Sequence, residues 1–511
     1  FLLYPIFLTV RGGFASNVAT GEGWTLAHLR ALGADRLALV GLGNALLIAM
    51  ATTVLSLLFA VPLAIIGARC RFRGKAFWNA AVLVPLILPP FVGAIGFRAI
   101  MGRQGTLNTL LGTDWDILGH ARFWGVVLVE ALHLYPIIYL NATAALANLD
   151  PALDEAAENL GASAWTRFRR ITLPLIRPGL FAGATIVFIW SFTELGTPLM
   201  FEMHDVTPVQ IYHGLKEVQT SPRPYVLTVV MLGVAVLLYL VGRLTFAGRS
   251  YEMYSKASRA SAEKPLGRAG TIGATALFAF VGFLAVIPHL GVLLTSVTQP
   301  GQWYRTILPS AYTTSNYVEA LTDEQAFGSI VNSLQLAIGA VIVDVLLGLV
   351  IAYMIVRTKA KGRGLLDALC MLPLAVPGLV MAFGYVSMTL RWPFGGDMPS
   401  GLASVLRVIL PDGVVHALSA PPLAGTLEVF GTDPNPFPLL VIAYAIRRLP
   451  YIVRSSIAGL EQTSGELEEA AINLGASRLL AIRRVIVPLI AANLIAGSLL
   501  VFSFSMLEVS D

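Results

Sequence analysis

The stretch that decides the fold covers residues 155–174, EAAENLGASAWTRFRRITLP, and it returns at residues 469–488 as EAAINLGASRLLAIRRVIVP. In both copies a glycine follows the glutamate by six residues and a proline follows it by nineteen, at a constant offset of 314 (469 − 155). Spacing this regular indicates an internal duplication. The chain is therefore expected to consist of two related halves.

The composition around this stretch is that of a membrane protein. Of the 511 residues, 56% are hydrophobic and 13% are charged, whereas soluble proteins carry about 25% charged residues. Several apolar runs approach the ~20 residues that span a bilayer as a helix, and lipid offers backbone groups no partner outside a helix. We predict an all-α, polytopic membrane protein whose surroundings are the lipid bilayer, without a nucleic-acid partner.

The apolar runs form two series of about six transmembrane helices. We predict a first repeat at residues 1–245, a linker at 246–270 and a second repeat at 271–511. Near the start of the repeats Asn44 matches Asn332, an offset of 288, so the second repeat contains 26 more residues (314 − 288), which we place in a Gly- and Pro-rich insert at about 391–438. The first span is short and the second repeat lacks its sixth, so we expect both termini to be truncated. The predicted spans are 1–10, 44–67, 77–100, 121–145, 178–200, 224–245, 271–297, 332–356, 366–391, 437–458 and 490–511.

The distribution of positive charge predicts which loops are cytoplasmic. The loops at residues 68–76, 147–178, 243–270, 357–363 and 447–488 contain 24 of the 35 lysines and arginines. Since short cytoplasmic loops are enriched in these residues, both copies of the signature are expected on the cytoplasmic side. The repeats are then parallel, and the insert is expected on the opposite, periplasmic side.

Local sequence signals predict the same structure for each copy. Asp150 followed by Pro151 is typical of a helix start, and Thr463 and Glu466 have the spacing of a capping box. A glycine suits the left-handed turn that ends such a helix, and a serine two residues later can cap the next helix. Each copy is expected to form a helix–turn–helix with an exposed arginine pair. The residues concerned are Gly161, Ser163, Arg169 and Arg170 in the first copy and Gly475, Ser477, Arg483 and Arg484 in the second.

The repeated pattern resembles the coupling-loop signature of ABC importer permeases, the membrane subunits of binding-protein-dependent uptake systems. The resemblance covers nearly the whole chain and implies the type I permease fold, with coupling loops at residues 150–176 and 463–490. It implies docking to two copies of an ABC ATPase subunit, together with a periplasmic substrate-binding protein and a bacterial inner-membrane location. The docking residues implied by the resemblance are Glu155, Ala156, Ala157, Gly161 and Pro174, with Glu469, Ala470, Ala471, Gly475 and Pro488.

Two fused halves on one chain look most like the ferric-iron permeases of this family, and thiamine importers share that layout. Phosphonate, polyamine and other small solutes are further alternatives. Outside this family, a secondary transporter would need paired intramembrane charges and a channel a polar pore stripe, and neither needs duplicated docking loops. A role of the insert in contacting the binding protein is a further expectation.

The chain lacks the motifs of an enzyme. No G-x-x-x-x-G-K-[ST] phosphate-binding loop occurs in it, and Cys70 and Cys370 have no spacing typical of a disulfide framework or zinc site. We therefore expect no catalytic residue, no cofactor and no resident metal, with ATP hydrolysis by a separate subunit.

Ionisable residues inside the spans are candidates for the translocation path, because placing them there is costly. Glu194 and Glu508 occupy equivalent positions, each three residues after a serine (Ser191 and Ser505), and are expected either to line a cation path or to bond backbone near the headgroups. Asp344 lies in mid-span and is expected to contact either substrate or a neighbouring helix. For Glu130 and His133, an interhelical hydrogen bond is favoured over a proton relay.

Overall fold

The computed structural model describes residues 1–17, 23–116, 121–147, 149–217, 220–246, 263–423, 425–427, 429 and 434–508. Within them the chain is almost entirely helical, and its two named strands contain two residues each. The predicted all-α fold is confirmed. Most of the predicted linker, residues 247–262, lies outside the described residues.

The first half of the sequence forms thirteen α-helices and one strand within the described residues. Short 3₁₀ turns lie at Val84–Leu86 and Leu215–Glu217, and a π-helical turn lies at Phe168–Thr172. The elements are α1 (Leu3–Phe14), α2 (Ala27–Ala34), α3 (Arg36–Arg69), β1 (Cys70–Arg71), α4 (Lys75–Ala81), α5 (Pro90–Met101), α6 (Thr106–Leu111), α7 (Arg122–Ala147), α8 (Pro151–Asn159), α9 (Ala164–Arg167), α10 (Leu173–Thr193), α11 (Gly196–Met200), α12 (Thr207–Gly214) and α13 (Arg223–Phe246).

The second half repeats much of this order, with a second π-helical turn at Ile482–Ile486. Its elements are β2 (Lys264–Pro265), α14 (Arg268–Ser296), α15 (Ser315–Thr322), α16 (Glu324–Arg357), α17 (Arg363–Ala375), α18 (Gly378–Thr389), α19 (Ser400–Ile409), α20 (Asp412–Ser419), α21 (Phe437–Gln462), α22 (Glu466–Asn473), α23 (Arg478–Ala481), α24 (Val487–Leu489) and α25 (Ala491–Met506).

The helix boundaries preserve the offsets found in the sequence. Helices α3 and α16 each contain 34 residues and begin 288 residues apart (324 − 36), and the aspartate before each of them, Asp35 or Asp323, caps its first turn. Gly74 and Gly362, at the same offset, both adopt the left-handed conformation before the next helix, with φ of 82° and 92°. These shared details support the internal repeat.

The described helices include six that are long and apolar enough to cross a membrane. Three further helix pairs are bent at a short break, including Lys75–Leu86 with Pro90–Leu111, which bend by 96°. Pro89 lies in the break of this first pair and Pro90 begins the helix after it, and proline removes a helical hydrogen bond and crowds the preceding turn. Helix α21 was predicted as a span but is not among the six. It contains Arg447, Arg448 and Arg454.

The described chain forms two compact units that do not coincide with the predicted halves. One consists of residues 1–32, 214–229 and 320–511, and the other of residues 33–213 and 230–319. The first helix of each repeat therefore belongs to the unit that is built mainly from the other repeat. Sequence similarity identifies repeats but carries no information on which repeat a terminal helix packs against. The repeat boundaries themselves stay a prediction.

Helix contacts within each unit account for this exchange. In the unit of residues 33–213 and 230–319, α14 packs along α5, where Gly96 and Gly291 allow the two backbones to touch. In the other unit, α1 packs on α18, and the ring of Tyr225 meets that of Phe383 edge-on at 4.7 Å. Small residues permit such close helix crossings in membranes, where backbone contact replaces the hydrophobic effect as the driving force.

Candidate functional site

The first signature loop folds as its local sequence predicts. Asp150 accepts a hydrogen bond from the backbone N–H of Ala152 (2.9 Å) and caps α8. The helix ends at Asn159, and Gly161, whose φ is +80°, lies in the turn that follows. Hydrogen bonds run from Gly161 N to the Glu158 carbonyl (2.9 Å) and from Ala162 N to the Ala157 carbonyl (3.0 Å). These two bonds form a Schellman motif, which satisfies carbonyls that the helix leaves free. Ser163 then caps α9 by accepting from Thr166 N (3.2 Å).

The second loop has the same ending but a different start. Gly475 has a φ of +91°. The matching hydrogen bonds run from Gly475 N to the Ile472 carbonyl (2.9 Å) and from Ala476 N to the Ala471 carbonyl (3.1 Å). Ser477 caps α23 by accepting a hydrogen bond from Leu480 N. The predicted capping box of Thr463 and Glu466 is wrong. Thr463 instead follows the last turn of α21, where its hydroxyl bonds the Leu460 carbonyl (3.0 Å). Helix α22 begins only at Glu466, whose backbone N–H donates a hydrogen bond to Ser464 Oγ (3.2 Å).

One face of each loop is open to contact. Glu155, Ala156, Glu469 and Ala470 are exposed, while Ala157 and Ala471 are half-buried. Two leucines at equivalent positions protrude most, since Leu160 is 89% exposed and Leu474 is 90% exposed. The arginine pairs at residues 169–170 and 483–484 are exposed as predicted. The two loops therefore present matching surfaces of small, acidic and apolar side chains.

The opposite face of each loop is fastened to the end of a long helix. Asp154 pairs with Arg69, the last residue of α3 (3.7 Å), and with Arg167 (3.5 Å). Its counterpart Glu468, which is 7% exposed, accepts a hydrogen bond from Tyr353 of α16. The sequence analysis missed both acids because their partners lie far away in the chain. Their position directly before the signature glutamates is the only local signal they give.

Arg69 at the end of α3 and Arg357 at the end of α16 occupy equivalent positions. Each contacts the signature loop of its own repeat, but the two arginines bind different groups of that loop. Arg69 meets a carboxylate, whereas Arg357 donates to the backbone carbonyls of Thr463 (2.7 Å) and Leu460 (3.0 Å). Each loop is thus attached to the end of a helix of 34 residues, about 50 Å long at 1.5 Å per residue.

A π-helical turn precedes the signature proline in both loops. Leu173 N–H bonds the carbonyl of Phe168, five residues back, and Val487 N–H does the same with Ile482. The next residue is Pro174 or Pro488, which has no N–H and would crowd the carbonyl four residues earlier. The wider turn accommodates the proline. Single π-turns are rare and are often found at functional sites, and the sequence analysis did not predict them.

The end of the linker contacts the first of these loops. Strand β2 pairs in parallel with β1, with Leu266 N bonded to the Arg71 carbonyl (3.0 Å). Lys264 Nζ lies 2.6 Å from Glu158 Oε2, and Arg167 reaches the same oxygen at 2.9 Å. The hydrogen bonds from Lys264 and then Arg167 hold the pKa of the Glu158 carboxyl below its usual range.

The first group of translocation-path candidates is partly tied up in hydrogen bonds. Ser191, which is buried, donates to Glu130 Oε2, and Thr52 donates to the same oxygen at 3.4 Å. The favoured interhelical hydrogen bond of Glu130 is therefore present. His133 donates from Nδ1 to the Pro85 carbonyl (2.8 Å). Glu194 ends α10 and accepts from Thr197 N (3.2 Å), so it bonds local backbone.

The equivalent group in the other unit is built differently. Glu508 pairs with Arg448 and lies 3.9 Å from Arg447, so its charge is compensated by arginines. Ser505 and Asp344 are buried, and their side-chain oxygens have no hydrogen-bond partner among the described residues. Glu194 and Glu508 thus occupy equivalent positions in the two repeats, but their electrostatic surroundings differ. Their assignment to a translocation path stays a prediction.

Comparisons with known proteins agree with this architecture. The family model described as "Binding-protein-dependent transport system inner membrane component" matches residues 60–289 and 344–510. The ferric transport system permease protein FbpB of Actinobacillus pleuropneumoniae is 28% identical, covering 91% of this chain. The chain spans 62% of the length of that relative.

Two further similarities are more limited in extent. The molybdenum transport system permease protein ModB of Escherichia coli K12 is 36% identical over 31% of this chain and 71% of that protein. A solved bacterial ABC transporter involved in import of the acidic polysaccharide alginate covers 47% of this chain and 88% of its own, with 19% identity and a TM-score of 0.38, too low to support an argument. The family match alone covers well over half of the residues, and this chain belongs to the family of inner membrane components of binding-protein-dependent transport systems.

Proposed function

We propose that the chain is the membrane-spanning permease of an ATP-driven, binding-protein-dependent importer in the bacterial inner membrane. It performs no ATP hydrolysis itself, and its two signature loops dock to two copies of an ATPase subunit. The observation that carries this proposal is the pair of loops with the same Schellman ending, the same exposed face and the same π-turn. A partner with two equivalent grooves fits such a duplicated surface.

Docking is favoured by the exposed side chains of each loop. Burying a leucine such as Leu160 or Leu474 in a groove contributes roughly 1.5–3 kcal/mol. The small side chains of Ala156 and Ala470 let a partner backbone approach closely. Glu155 and Glu469 are exposed carboxylates, and a basic residue in the groove would pair with them. Neither glutamate is needed to hold the loop, because Asp154 and Glu468 perform that task on the other face.

The fastened inner face supports a mechanical role for the loops. When nucleotide binding moves the ATPase subunits, each docked loop is carried with them. The ion pair of Asp154 with Arg69 and the bonds of Arg357 to the second loop then transmit the movement to α3 and α16. Bent helices such as those joined near Pro89 offer hinges within the bundle. Alternating access to the two sides of the membrane follows from this coupling.

For the substrate we favour ferric iron, delivered by a periplasmic binding protein. The support is the ferric transport permease relative, which aligns with 91% of this chain, whereas the molybdenum relative aligns with 31% of it. In a binding-protein-dependent system the binding protein selects the solute, so the permease needs no iron-ligand cage of its own. Molybdate and thiamine are the solutes to compare with iron.

The double variant Glu155→Arg/Glu469→Arg tests the docking role. We expect it to lose a co-expressed ATPase during purification and to abolish uptake of radiolabelled ferric iron in iron-starved cells. Glu217→Arg is the matched control, since Glu217 is exposed and lies outside both loops. An ATPase retained by the double variant contradicts the docking model. Normal iron uptake in cells that lack the chain contradicts the assignment of iron and leaves the importer architecture in place.

A further inference from the structure

An open cavity lies at the end of α7 opposite the first signature loop. It has a volume of about 380 Å³, and α7 separates it from that loop by 26 residues, about 39 Å of helix. Cavities of this size accommodate small-molecule ligands. By the distribution of positive charge in the sequence, it lies on the periplasmic side.

Three arginines dominate the lining of the cavity. Arg98 donates to the Met200 carbonyl (3.1 Å) and Arg122 to the Glu202 carbonyl (3.0 Å). A guanidinium has five N–H donors, so one such bond anchors it and leaves donors for a ligand. Arg103 also lines the cavity, is exposed, and has no hydrogen-bond or ion-pair partner among the described residues. The cavity therefore has spare positively charged donors.

The carboxylates present offset this positive charge only in part. Glu202 and Asp116 line the same cavity, and Glu202 lies 3.9 Å from Arg98 with 61% of its side chain exposed. An exposed pair at that distance is weak. Two carboxylates and three guanidinium groups line the cavity, so the charges of these lining residues sum to +1.

Two residues at the edge of the cavity have backbone conformations that are rare for their type. Glu202 and Arg305 are the two non-glycine residues with positive φ among the described residues, at 56° and 51°. The turn at Glu202 provides the carbonyl that anchors Arg122. Unfavourable backbone conformations of this kind occur often at ligand-binding sites. Here one of them fixes the position of a guanidinium group.

An aromatic wall closes one side of the cavity and carries a further donor. Trp303 and Tyr304 belong to a segment that is fastened to the arginine side by Arg305 N, which bonds the Gln104 carbonyl (3.0 Å), and by Arg305, which pairs with Asp114 (3.2 Å). The indole Nε1 of Trp303 is buried without a hydrogen-bond partner among the described residues. A buried donor without a partner is costly, and a ligand acceptor would satisfy it.

We propose that this cavity, which we call the arginine pocket, binds an oxyanion group of the carboxylate or phosphate type. Guanidinium groups match the planar, bidentate geometry of such groups, and the indole N–H adds a neutral donor. The group comes either from a small free anion or from a carboxylate that the periplasmic binding protein presents. The periplasmic location of the pocket and the binding protein as a source of the group rest on the proposed function. The binding of an oxyanion by the arginine pocket does not.

Two of the three arginines of the arginine pocket are not repeated in the second half. Arg98 corresponds to Val386 and Arg103 to Arg391 at the offset of 288, and Arg122 corresponds to Pro436 at the offset of 314. The full set of three arginines is thus a feature of the first repeat. An anion bound there contacts the permease asymmetrically.

Binding of radiolabelled citrate and inorganic phosphate to the whole chain in nanodiscs tests the free-anion source. We expect Arg103→Gln to weaken binding about tenfold, the loss typical of a hydrogen bond to a charged group, and Arg98→Gln to do the same. Arg36→Gln is the matched control, because Arg36 is an exposed arginine at the start of α3 outside the pocket. Arg103 anchors nothing in the described structure, so its variant separates ligand binding from folding.

A second arm measures association with the purified binding protein in the same nanodiscs. Association that weakens tenfold in Arg103→Gln but not in Arg36→Gln, without any binding of free anions, identifies a carboxylate of the binding protein as the occupant. Citrate or phosphate binding that is lost in Arg103→Gln identifies a free anion. If neither arm responds to Arg103→Gln or Arg98→Gln, the proposal is overturned. Loss of the docked ATPase in the signature-loop variant has no bearing on either arm.

Discussion

Lys264 Nζ lies 2.6 Å from Oε2 of Glu158, which joins the end of the linker to the first signature helix. Lys75 supports the contact from the other side by pairing with Glu263 at 2.7 Å. The second loop cannot repeat this arrangement, because the residue equivalent to Glu158 is Ile472 (158 + 314). The two loops therefore present outer surfaces of the same kind but are held in place by different contacts. We infer that the linker stiffens the first loop through this contact.

The contact of Glu158 with Lys264 makes the docking of the linker dependent on pH. Because hydrogen bonds from Lys264 and Arg167 lower the pKa of Glu158, its charged form is favoured in the folded state. The stabilisation is fully present above the ordinary glutamate pKa of about 4.3 and is lost as the pH falls through the lowered value. We expect the Leu266 amide, which bonds the Arg71 carbonyl, to be protected from hydrogen exchange at neutral pH and to lose protection on acidification.

Lys264→Gln should lower the protection factor of the Leu266 amide already at neutral pH, and added salt should have the same effect on the wild type because the pair is solvent-exposed. Lys216→Gln, at an exposed lysine outside the linker, is the control. If the protection factor of the Leu266 amide changes neither on acidification nor in Lys264→Gln, the short strand pairing alone holds the linker.

Local signals in the sequence account for the parts of the site that were predicted. Asp150, Gly161 and Ser163 act within three residues of their own position, so a short stretch of sequence specifies each of them. The same reasoning failed at Thr463, since a hydroxyl at the boundary of two helices can serve either one. A capping pattern does not state which helix it belongs to.

Contacts between distant residues account for what sequence reasoning missed. Nothing near Asp154 or Glu468 identifies Arg69 or Tyr353 as their partners, because those residues lie in other helices. The exchange of first helices between the compact units has the same origin. It depends on glycine contacts such as that of Gly96 with Gly291, which become visible only when two helices are placed side by side.

Gly161 and Gly475 should tolerate asparagine far better than alanine. Both have positive φ, and a Cβ added at either would meet no atom within 4 Å, so the cost of substitution lies in the backbone alone. Alanine in this conformation costs about 1 kcal/mol, whereas asparagine adopts it more readily. We expect Gly161→Ala to weaken hydrogen-exchange protection of the Ala162 amide and Gly161→Asn to largely preserve it. Equal losses for alanine and asparagine would mean that the side chain is excluded for another reason.

Two glycines of α14 should respond in opposite ways to alanine. A Cβ on Gly291 would lie within 3.0 Å of backbone atoms of Gly96, whereas a Cβ on Gly282 would meet nothing within 4 Å. Gly291→Ala must therefore push α14 away from α5, at a cost of about 1–3 kcal/mol. Gly282→Ala only improves helix propensity, by about 0.5–1 kcal/mol. Thermal unfolding in detergent should show a lower midpoint for the first variant and an equal or higher one for the second. Destabilisation by both would place the effect in the membrane environment and not in the helix crossing.

Ser191 and Ser505 occupy equivalent positions in the two repeats, but we expect opposite effects from their replacement by alanine. Ser191 donates to the buried carboxylate of Glu130, so Ser191→Ala leaves that carboxylate with only the Thr52 bond of 3.4 Å. Leaving a buried polar group without one of its hydrogen-bond partners costs about 1–3 kcal/mol, and the unfolding midpoint should fall by a few degrees.

Ser505→Ala removes a buried hydroxyl that has no partner among the described residues, so the midpoint should stay the same or rise. Iron uptake measured on both variants distinguishes structure from transport. If Glu130 serves only to join helices, uptake at low temperature should survive in Ser191→Ala despite the lower midpoint. A loss of uptake in Ser191→Ala at a temperature where the variant is fully folded would instead place Glu130 on the path of the substrate. A fall in the midpoint of Ser505→Ala equal to that of Ser191→Ala would contradict the hydrogen-bond argument, since within the described part of the chain only the Ser191 hydroxyl has a bond to lose.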